Sequence, residues 1–384
     1  MHRITEMRDV LIHADTTRSP SMRHEVPLPI PDPFLYVEHD GRRFVVITAF
    51  ERERLHEAAP DIEALPPEQF GVDELLRGGT PPVEATLEVY TRALKEIGVG
   101  EAAVPASFPV ELADHLRSHG ITIRVERDLF EDRRRSKTAT EIAGLRRAQR
   151  ACEASLDIAR SMLRESEQQN GVLHLDGDVL TSERIKLEME RVFLAYGVSA
   201  DEFIVAHGAQ AAVGHDMGSG PISAGEAVVF DLWPRDKETA VYTDMTRTYV
   251  VGKVPDEIRE YHRLCKEALE RTTEATEPGV NGRALMQIAC DLFAEHGYPT
   301  QLTKKAGEVL DCGFFHSLGH GVGLEVHERP RLSVVGDDLV PGDVITLEPG
   351  LYRAGYGGVR LEDILLVTDD GAEVVTQYPY DLEP

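Results

Sequence analysis

Hydrophobic and polar positions in the first third of the chain follow the periods of strands and helices. FLYVEH and RFVVITAF flank Gly41 and predict a β-hairpin. VEATLEVYTRALKEIG repeats apolar residues at helical spacing, and AAVPA, PVELADHLRSHG and ITIRVE then predict a strand, a helix and a strand. Residues 1–33 are Pro-rich, so we expect them to be irregular, with no regular structure in the first twenty or so. The alternation of strands and helices predicts a small α/β domain.

A charge run followed by a helix start marks a domain boundary. EDRRRSKTATEIAGLRRA contains Thr138 and Glu141 at the spacing of a capping box, and an amphipathic pattern follows it. We therefore expect an N-terminal α/β domain over residues 1–136 and a second domain over residues 137–384.

The second domain contains a coarse internal repeat. Two amphipathic helices precede strands that carry Asp231 and Asp244, and two more precede a segment that ends in Glu348 and Glu362. The predicted helices span 142–165, 182–196, 256–275 and 283–296. The repeat predicts two related halves that bring their carboxylates together.

Composition limits the class of protein. With 384 residues, of which 42% are hydrophobic, the chain can bury one large core or two domains. Forty-one Lys and Arg against 67 Asp and Glu give a net charge of −26, which disfavours nucleic acid and anionic membranes as partners.

Cysteine usage and the polar N-terminal residues indicate the compartment. The four cysteines have no metal-finger spacing, and they are interpreted as buried thiols of a reducing environment. The chain starts with polar and charged residues and contains no apolar stretch of about 20 residues. We therefore expect a cytoplasmic protein.

The candidate chemistry lies in four carboxylates and a histidine-rich segment. His316, His320 and His327 occur in FFHSLGHGVGLEVHE, between the two carboxylate pairs. Four buried carboxylates would repel one another, because isolated buried charge is unfavourable, whereas two divalent cations would cancel the four negative charges. The pattern indicates a site for two metal ions.

The order of these residues resembles a known family. Asp231, Asp244 within TDMTRT, His320 within GHGVG, Glu348 within LEPG and Glu362 within RLED are similar to the ligands of the two-metal pita-bread metallopeptidases of family M24, which include methionine aminopeptidase, aminopeptidase P and prolidase. The resemblance implies a mixed α/β (α+β) protein. A creatinase/prolidase-like N-terminal domain would precede a pita-bread catalytic domain.

The resemblance also implies roles for single residues. The five residues of the pattern would bind the metals, with Asp244 and Glu362 bridging both ions, and Glu348 would also carry a proton. His215 and His327 match catalytic positions of the family, although a lone histidine is more often structural. His316 and Arg360 are the candidate substrate-binding residues, with a solvated strand charge as the alternative interpretation of Arg360. The implied cofactor is two divalent ions, with Mn²⁺ preferred and Co²⁺ or Zn²⁺ as alternatives.

An N-terminal domain favours the creatinase, prolidase and aminopeptidase P branch. The expected activity is hydrolysis of the bond between an N-terminal residue and proline in a small peptide with a free N-terminus, by a homodimer. Two alternatives stay open: a metal-dependent enzyme acting on a small non-peptide substrate, and a non-enzymatic binding homologue. The sequence DLWPR departs from the family pattern because Asp231 and Asp244 are thirteen residues apart, two more than is common. Trp233 and Pro234 therefore leave substrate identity open.

Overall fold

The computed structural model describes residues 9–384, which form two compact units, one ending at Arg134 and the other spanning Arg135–Pro384. The helices of the first unit are α1 (Pro20–Glu25), α2 (Arg52–Ala58), α3 (Val72–Arg77), α4 (Pro82–Ile97), α5 (Val110–Ser118) and α6 (Arg127–Arg133). Its strands are β1 (Asp9–Ala14), β2 (Phe34–His39), β3 (Arg42–Val46), β4 (Ile62–Leu65), β5 (Glu101–Val104) and β6 (Thr122–Val125). The strands form one sheet in the order β4-β3-β2-β1-β5-β6.

The predicted hairpin is confirmed as β2 and β3, which pair antiparallel. Its two-residue turn is Asp40-Gly41, and both residues have positive φ, as a tight hairpin turn requires. The predicted helices and strands of this unit are confirmed as α4, β5, α5 and β6.

The expectation of an irregular N-terminal segment is wrong at β1 and α1, but it is confirmed for the Pro-rich residues 26–33, which form no helix or strand. Strand β1 lies inside the sheet, antiparallel to β2 and parallel to β5, and α1 follows it. The strand is short, and its parallel partner lies far away in the sequence. Residues 1–8 of that expectation lie outside the described residues.

The second unit contains the four predicted helices, and all four are confirmed. They are α7 (Ala139–Glu165), α8 (Ser182–Ala195), α9 (Asp256–Glu274) and α10 (Gly282–Glu295). Helix α7 begins with the predicted capping box, in which the Thr138 side chain accepts from the Glu141 amide and Glu141 accepts from the Thr138 amide. Cys152, Cys265 and Cys290 are buried within these helices, but Cys312 is partly exposed, which corrects the expectation of four buried thiols.

The strands of the second unit are β7 (Glu167–Gln169), β8 (Val172–Leu175), β9 (Asp178–Val179), β10 (Val198–Ser199), β11 (Ile204–His207), β12 (Ala227–Leu232), β13 (Arg235–Asp236), β14 (Met245–Val250), β15 (Cys312–Gly313), β16 (Gly319–Gly321), β17 (Glu328–Leu332), β18 (Val344–Leu347), β19 (Gly350–Arg353), β20 (Gly357–Arg360), β21 (Asp363–Val367) and β22 (Ala372–Val374). Two sheets carry the carboxylates: β11-β12-β14 and β17-β16-β18-β21-β22.

The internal repeat is visible in the packing of this unit. Helices α7 and α8 bury their apolar faces with β12 and β14 in one hydrophobic core. Helices α9 and α10 do the same with β18 and β21 in a second core. A bridge between Thr246 and Glu362 joins the two halves at the level of the carboxylates. No helix within residues 9–384 is both long enough and apolar enough to cross a membrane.

Candidate metal centre

The four carboxylates lie at or directly beside the ends of strands. Asp231 is near the end of β12 and Asp244 comes directly before β14, while Glu348 directly follows β18 and Glu362 directly precedes β21. Asp231 lies opposite Thr246 in the β12–β14 pair, and Thr246 is in turn bridged to Glu362. Neighbouring strands therefore bring together residues that are far apart in the sequence.

The side chains of the site converge on a small volume. One ligand atom each from Asp244, His320 and Glu362 lies within 4.8 Å of the other two. His320 Nε2 is 3.8 Å from Asp244 Oδ2 and 3.8 Å from Glu348 Oε1. Four of the five predicted ligands thus face one another, and Asp231 joins them through its place beside Thr246.

The charges in this volume are unbalanced in the protein alone. Burial, and then repulsion from Glu362 and Asp231, raises the pKa of Asp244 well above its ordinary value. Burial, and then Glu348 and Asp231, does the same to the pKa of Glu362. Burial raises the pKa of Glu348 to about 8, although Arg360 opposes the shift. A cluster of this kind is relieved by cations.

The donor atoms fit divalent metal ions. Asp244 Oδ1 is buried and has no hydrogen-bond partner within residues 9–384. Burial, and then His327, lowers the pKa of His320 to about 3, so its ring stays neutral. Its Nδ1 bonds to the Gly321 carbonyl at 3.1 Å, which leaves Nε2 as a lone-pair donor toward the carboxylates.

Two glycines let strand β16, which contains His320, pack closely against its neighbours. A Cβ on Gly319 would lie 2.0 Å from the Thr346 carbonyl oxygen, and a Cβ on Gly321 would lie 2.1 Å from the Arg329 carbonyl oxygen. Any larger residue would push β16 away from its neighbours. The glycines of GHGVG therefore serve the placement of His320.

Strand β14 presents two faces with different roles. Thr246 Oγ1 donates to Glu362 Oε2 at 2.7 Å, and Thr248 Oγ1 donates to the Arg360 carbonyl at 3.0 Å. On the other face Arg247 is buried and pairs with Asp363 at 2.8 Å. One face supports the site while the other packs.

Arg360 is a buried part of the site, so the alternative of a solvated strand charge is wrong. Its Nη2 pairs with Asp231, its Nε donates to Thr246 Oγ1 at 3.2 Å, and its Nη1 donates to the Tyr352 hydroxyl at 3.0 Å. Tyr352 was not identified from the sequence, although it lies only four residues after Glu348.

The three other candidate histidines differ in their settings. His316 Nε2 bonds to the Tyr352 hydroxyl at 2.9 Å, and its Nδ1 lies 3.7 Å from Glu348 Oε2. The His327 ring is exposed, but its centroid is 4.4 Å from that of His320. His215 is exposed. Partial burial of His327, and then the nearby His215, lowers the pKa of His327. All three therefore lie around the same site.

Ion pairs, one of them buried on both sides, hold the strand that follows the histidine-rich segment. Lys137 Nζ pairs with Glu328 Oε1, and their side chains are only 3% and 4% exposed. Asp337 receives both Arg329 and Arg331, at 2.8 and 2.9 Å. These pairs hold strand β17, which begins directly after His327, and the sequence pattern alone did not reveal them.

Comparison with known proteins identifies a family and several relatives. The model of metallopeptidase family M24 matches residues 143–369. The chain is 33% identical over 258 residues to an Xaa-Pro dipeptidase of Pyrococcus furiosus, with 65% of each chain covered. It is 30% identical over 308 residues to an Xaa-Pro dipeptidase of Pyrococcus horikoshii, covering 77% of this chain and 78% of that protein. The matched part is thus just under two thirds of the length of the first relative.

The fold comparison extends over nearly the whole chain. The crystal structure of the prolidase from Pyrococcus horikoshii OT3 is similar with a TM-score of 0.73 and 25% sequence identity, covering 98% of this chain and 95% of that chain. The mixed α/β architecture, the carboxylate and histidine cluster and the family match lead to one conclusion. The chain belongs to metallopeptidase family M24 and has the pita-bread fold, preceded in the sequence by an N-terminal domain.

Proposed function

We propose that the protein is a dinuclear metal-dependent peptidase that hydrolyses the bond between an N-terminal residue and proline. The observation that carries the proposal is the convergence of Asp244, His320 and Glu362 around a buried carboxylate oxygen without a hydrogen-bond partner among the described residues. The Xaa-Pro dipeptidases among the relatives support the substrate class. The substrate would be a small peptide with a free N-terminus.

The ligands in this proposal are Asp231, Asp244, His320, Glu348 and Glu362. When bound, two divalent ions, with Mn²⁺ preferred and Co²⁺ or Zn²⁺ as alternatives, supply Lewis-acid activation of water and of the scissile carbonyl. The family resemblance would give the bridging positions to Asp244 and Glu362, and a carboxylate can bridge two ions because it offers two oxygens.

The chain's own residues supply the proton transfer. Burial raises the pKa of Glu348 to about 8 in the metal-free protein, and the carboxylate faces both His316 and His320. We assign Glu348 as the group that carries a proton toward the leaving nitrogen. Arg360, with donors directed to Asp231, Thr246 and Tyr352, orients the Asp231 carboxylate beside the substrate.

The histidines lie where a substrate can reach them. His327 and His215 are exposed and lie near the buried ligands, so they suit contact with the substrate carbonyl and backbone. His316 is held by Tyr352 on the Glu348 side of the site. A bond that precedes proline is a tertiary amide without N–H, so a site that acts on the carbonyl through metals and histidine accepts it.

The test is a matched peptide panel with Mn²⁺, Co²⁺ or Zn²⁺. Ala-Pro, Met-Pro and Ala-Pro-Ala should each be hydrolysed with a kcat/KM at least about tenfold above that of the matching Ala-Ala, Met-Ala and Ala-Ala-Ala peptides, which is roughly 1.4 kcal/mol of discrimination. The ratio of Ala-Pro to Ala-Pro-Ala separates dipeptidase from aminopeptidase activity.

The same panel tests the histidine assignment. His327→Ala should lower kcat by about 10²-fold with the bound metal unchanged, because only a contact to the reacting group is lost. If metal-loaded protein hydrolyses none of the peptides, the Xaa-Pro proposal is wrong and a small non-peptide substrate becomes the better proposal.

A further inference from the structure

Trp233 lies directly across the strand pair from Asp244. Leu232 pairs with Met245 on one side of this position, and Arg235 bridges to Tyr242 on the other side in the same register. Between them the Thr243 amide donates to the Pro234 carbonyl at 3.2 Å. The register is therefore continuous, and it sets Trp233 opposite Asp244.

This pair is of the type in which side chains approach most closely. The Thr243–Pro234 hydrogen bond makes residues 234 and 243 the hydrogen-bonded pair, so the adjacent Trp233–Asp244 pair is non-hydrogen-bonded. Partners in such a pair have Cα atoms about 4.5 Å apart and point to the same face. Trp233 shares that face with Asp231, two residues before it, whereas buried Leu232 and Pro234 face the other way.

On this face of the strand pair, the indole of Trp233 offers apolar surface. The other positions on the face nearest to it are the carboxylates Asp231 and Asp244 and the pair Arg235 and Tyr242, in which the guanidinium lies 5.6 Å from the ring. The indole is half-buried, and it makes no hydrogen bond, ring contact or cation contact with any residue from 9 to 384. An aromatic surface of this kind is available to a ligand.

The chemistry of the face indicates which part of a peptide would reach the indole. In the proposed reaction the first peptide bond of the substrate lies at the metal centre, and Asp231 and Asp244 are the candidate ligands on this face. The α-carbon of the first residue is bonded to the scissile carbonyl carbon, so its side chain is adjacent to those ligands, where the indole lies. The opposite end of the peptide is directed away from this strand pair.

We propose that Trp233 is a specificity-determining residue whose indole packs against the side chain of the substrate's first residue and selects large apolar side chains over glycine. The inference rests on the proposed peptidase function and narrows it to peptides with an apolar N-terminal residue. Burial of apolar area against the indole is the source of the preference.

The first experiment compares Phe-Pro with Gly-Pro as substrates. In the Mn²⁺-loaded wild-type protein kcat/KM should favour Phe-Pro, and in Trp233→Gly the ratio of the two values should fall by at least about tenfold. Trp233→Phe keeps an aromatic surface and should retain the ratio within about threefold. Val309→Gly, which removes a side chain in a residue that is 90% exposed, should leave the ratio unchanged.

The second experiment uses the emission of Trp233, which is the only tryptophan in the chain. Mn²⁺ alone, a paramagnetic quencher, should quench the emission of the metal-free protein in a saturable manner. Rapid mixing of the Mn²⁺-loaded protein with Phe-Pro should change the emission before turnover, at concentrations at least about fivefold below those needed with Gly-Pro.

The outcomes separate this inference from the proposed function. Hydrolysis of both peptides with an unchanged Phe-Pro to Gly-Pro ratio in Trp233→Gly would overturn the role of Trp233 and leave the peptidase proposal intact. An emission response that prefers Phe-Pro, without hydrolysis of any peptide, would support the contact at Trp233 and overturn the peptidase proposal. If the emission of the wild-type protein does not respond to Phe-Pro, the contact between Trp233 and the substrate is overturned. This experiment does not depend on whether Trp233→Gly folds.

Discussion

At the residue scale, the site consists of charges that oppose one another in the metal-free protein. Asp244 is buried, faces Glu362 and has an oxygen without a hydrogen-bond partner within the described residues. Elsewhere in the same unit, buried carboxylates are paired: Asp343, whose side chain is fully buried, accepts from Arg135 at 2.9 and 2.7 Å. The contrast distinguishes a metal ligand from a structural carboxylate by its partners.

Asp244→Asn should change stability in opposite directions with and without metal. Without metal, the neutral amide removes repulsion and should raise the free energy of unfolding by about 1–2 kcal/mol. With Mn²⁺, the variant should be less stable than the wild type, bind well below two ions per chain and lose peptidase activity. Thermal unfolding with a chelator and with Mn²⁺, together with metal analysis, measures each part.

Asp343→Asn is the matched control, because it removes one buried charge of a paired carboxylate. It should lower the free energy of unfolding by about 3–5 kcal/mol both with the chelator and with Mn²⁺. The reason is that Arg135 is left with an uncompensated charge. If Asp244→Asn behaved like Asp343→Asn in the chelator, Asp244 would be a structural residue and the ligand assignment would fail.

At the scale of elements, the site depends on how the histidine-rich segment is held. Glycines 319 and 321 let β16 approach its neighbours, and the buried pair Lys137–Glu328 lies at the end of that segment. His327 directly precedes Glu328, so the ion pair also sets where the His327 backbone lies. The position of this histidine therefore depends on a lysine at the start of the unit.

Lys137→Met should destabilise the protein by about 3–5 kcal/mol, because Glu328 would lose its buried cation. Since the change also frees the backbone beside His327, kcat should fall while the metal content stays the same. Chemical unfolding and peptide turnover measure the two effects.

Two variants test the explanation of that result. Lys137→Met combined with Glu328→Leu should recover much of the stability, as replacement of a whole buried pair by apolar residues often does. Arg191→Ala, which removes an exposed pair with Glu188, should change the free energy of unfolding by less than about 1 kcal/mol. Equal effects of Lys137→Met and Arg191→Ala would contradict the role given to the buried pair.

At the scale of the whole molecule, all five candidate ligands belong to the unit spanning Arg135–Pro384. Metal binding should therefore stabilise that unit in particular. A ligand at a concentration of about 100 times its dissociation constant adds roughly 2.7 kcal/mol to the free energy of unfolding. For a unit of this size, that corresponds to a Tm increase of about 5–10 °C.

Hydrogen exchange of the full chain should show where the metal acts. With Mn²⁺, amide exchange should slow in β12, β14, β18 and β21, while β1 to β3 exchange as before. A chelator should reverse the change. Equal slowing in both units, or none in the carboxylate strands, would place the metal elsewhere.

Sequence by itself determined the features that local chemistry carries. The hairpin around Gly41, the four helices of the second unit and the capping box at Thr138 follow from the period of apolar residues and from caps within a few positions, and all are confirmed. The membership of the family followed from the order of five ligand residues, each in a short motif.

Only the tertiary structure decided features that depend on pairing between distant segments. Strand β1 is stabilised by parallel pairing with β5, Lys137 meets Glu328 across 191 residues, and Arg360 becomes buried because Asp231 and Tyr352 receive its donors. The register that sets Trp233 opposite Asp244 is likewise a property of the strand pair. The period of apolar residues along the chain cannot specify such contacts. Each contact depends on which backbone and side-chain groups of a distant segment are available for pairing.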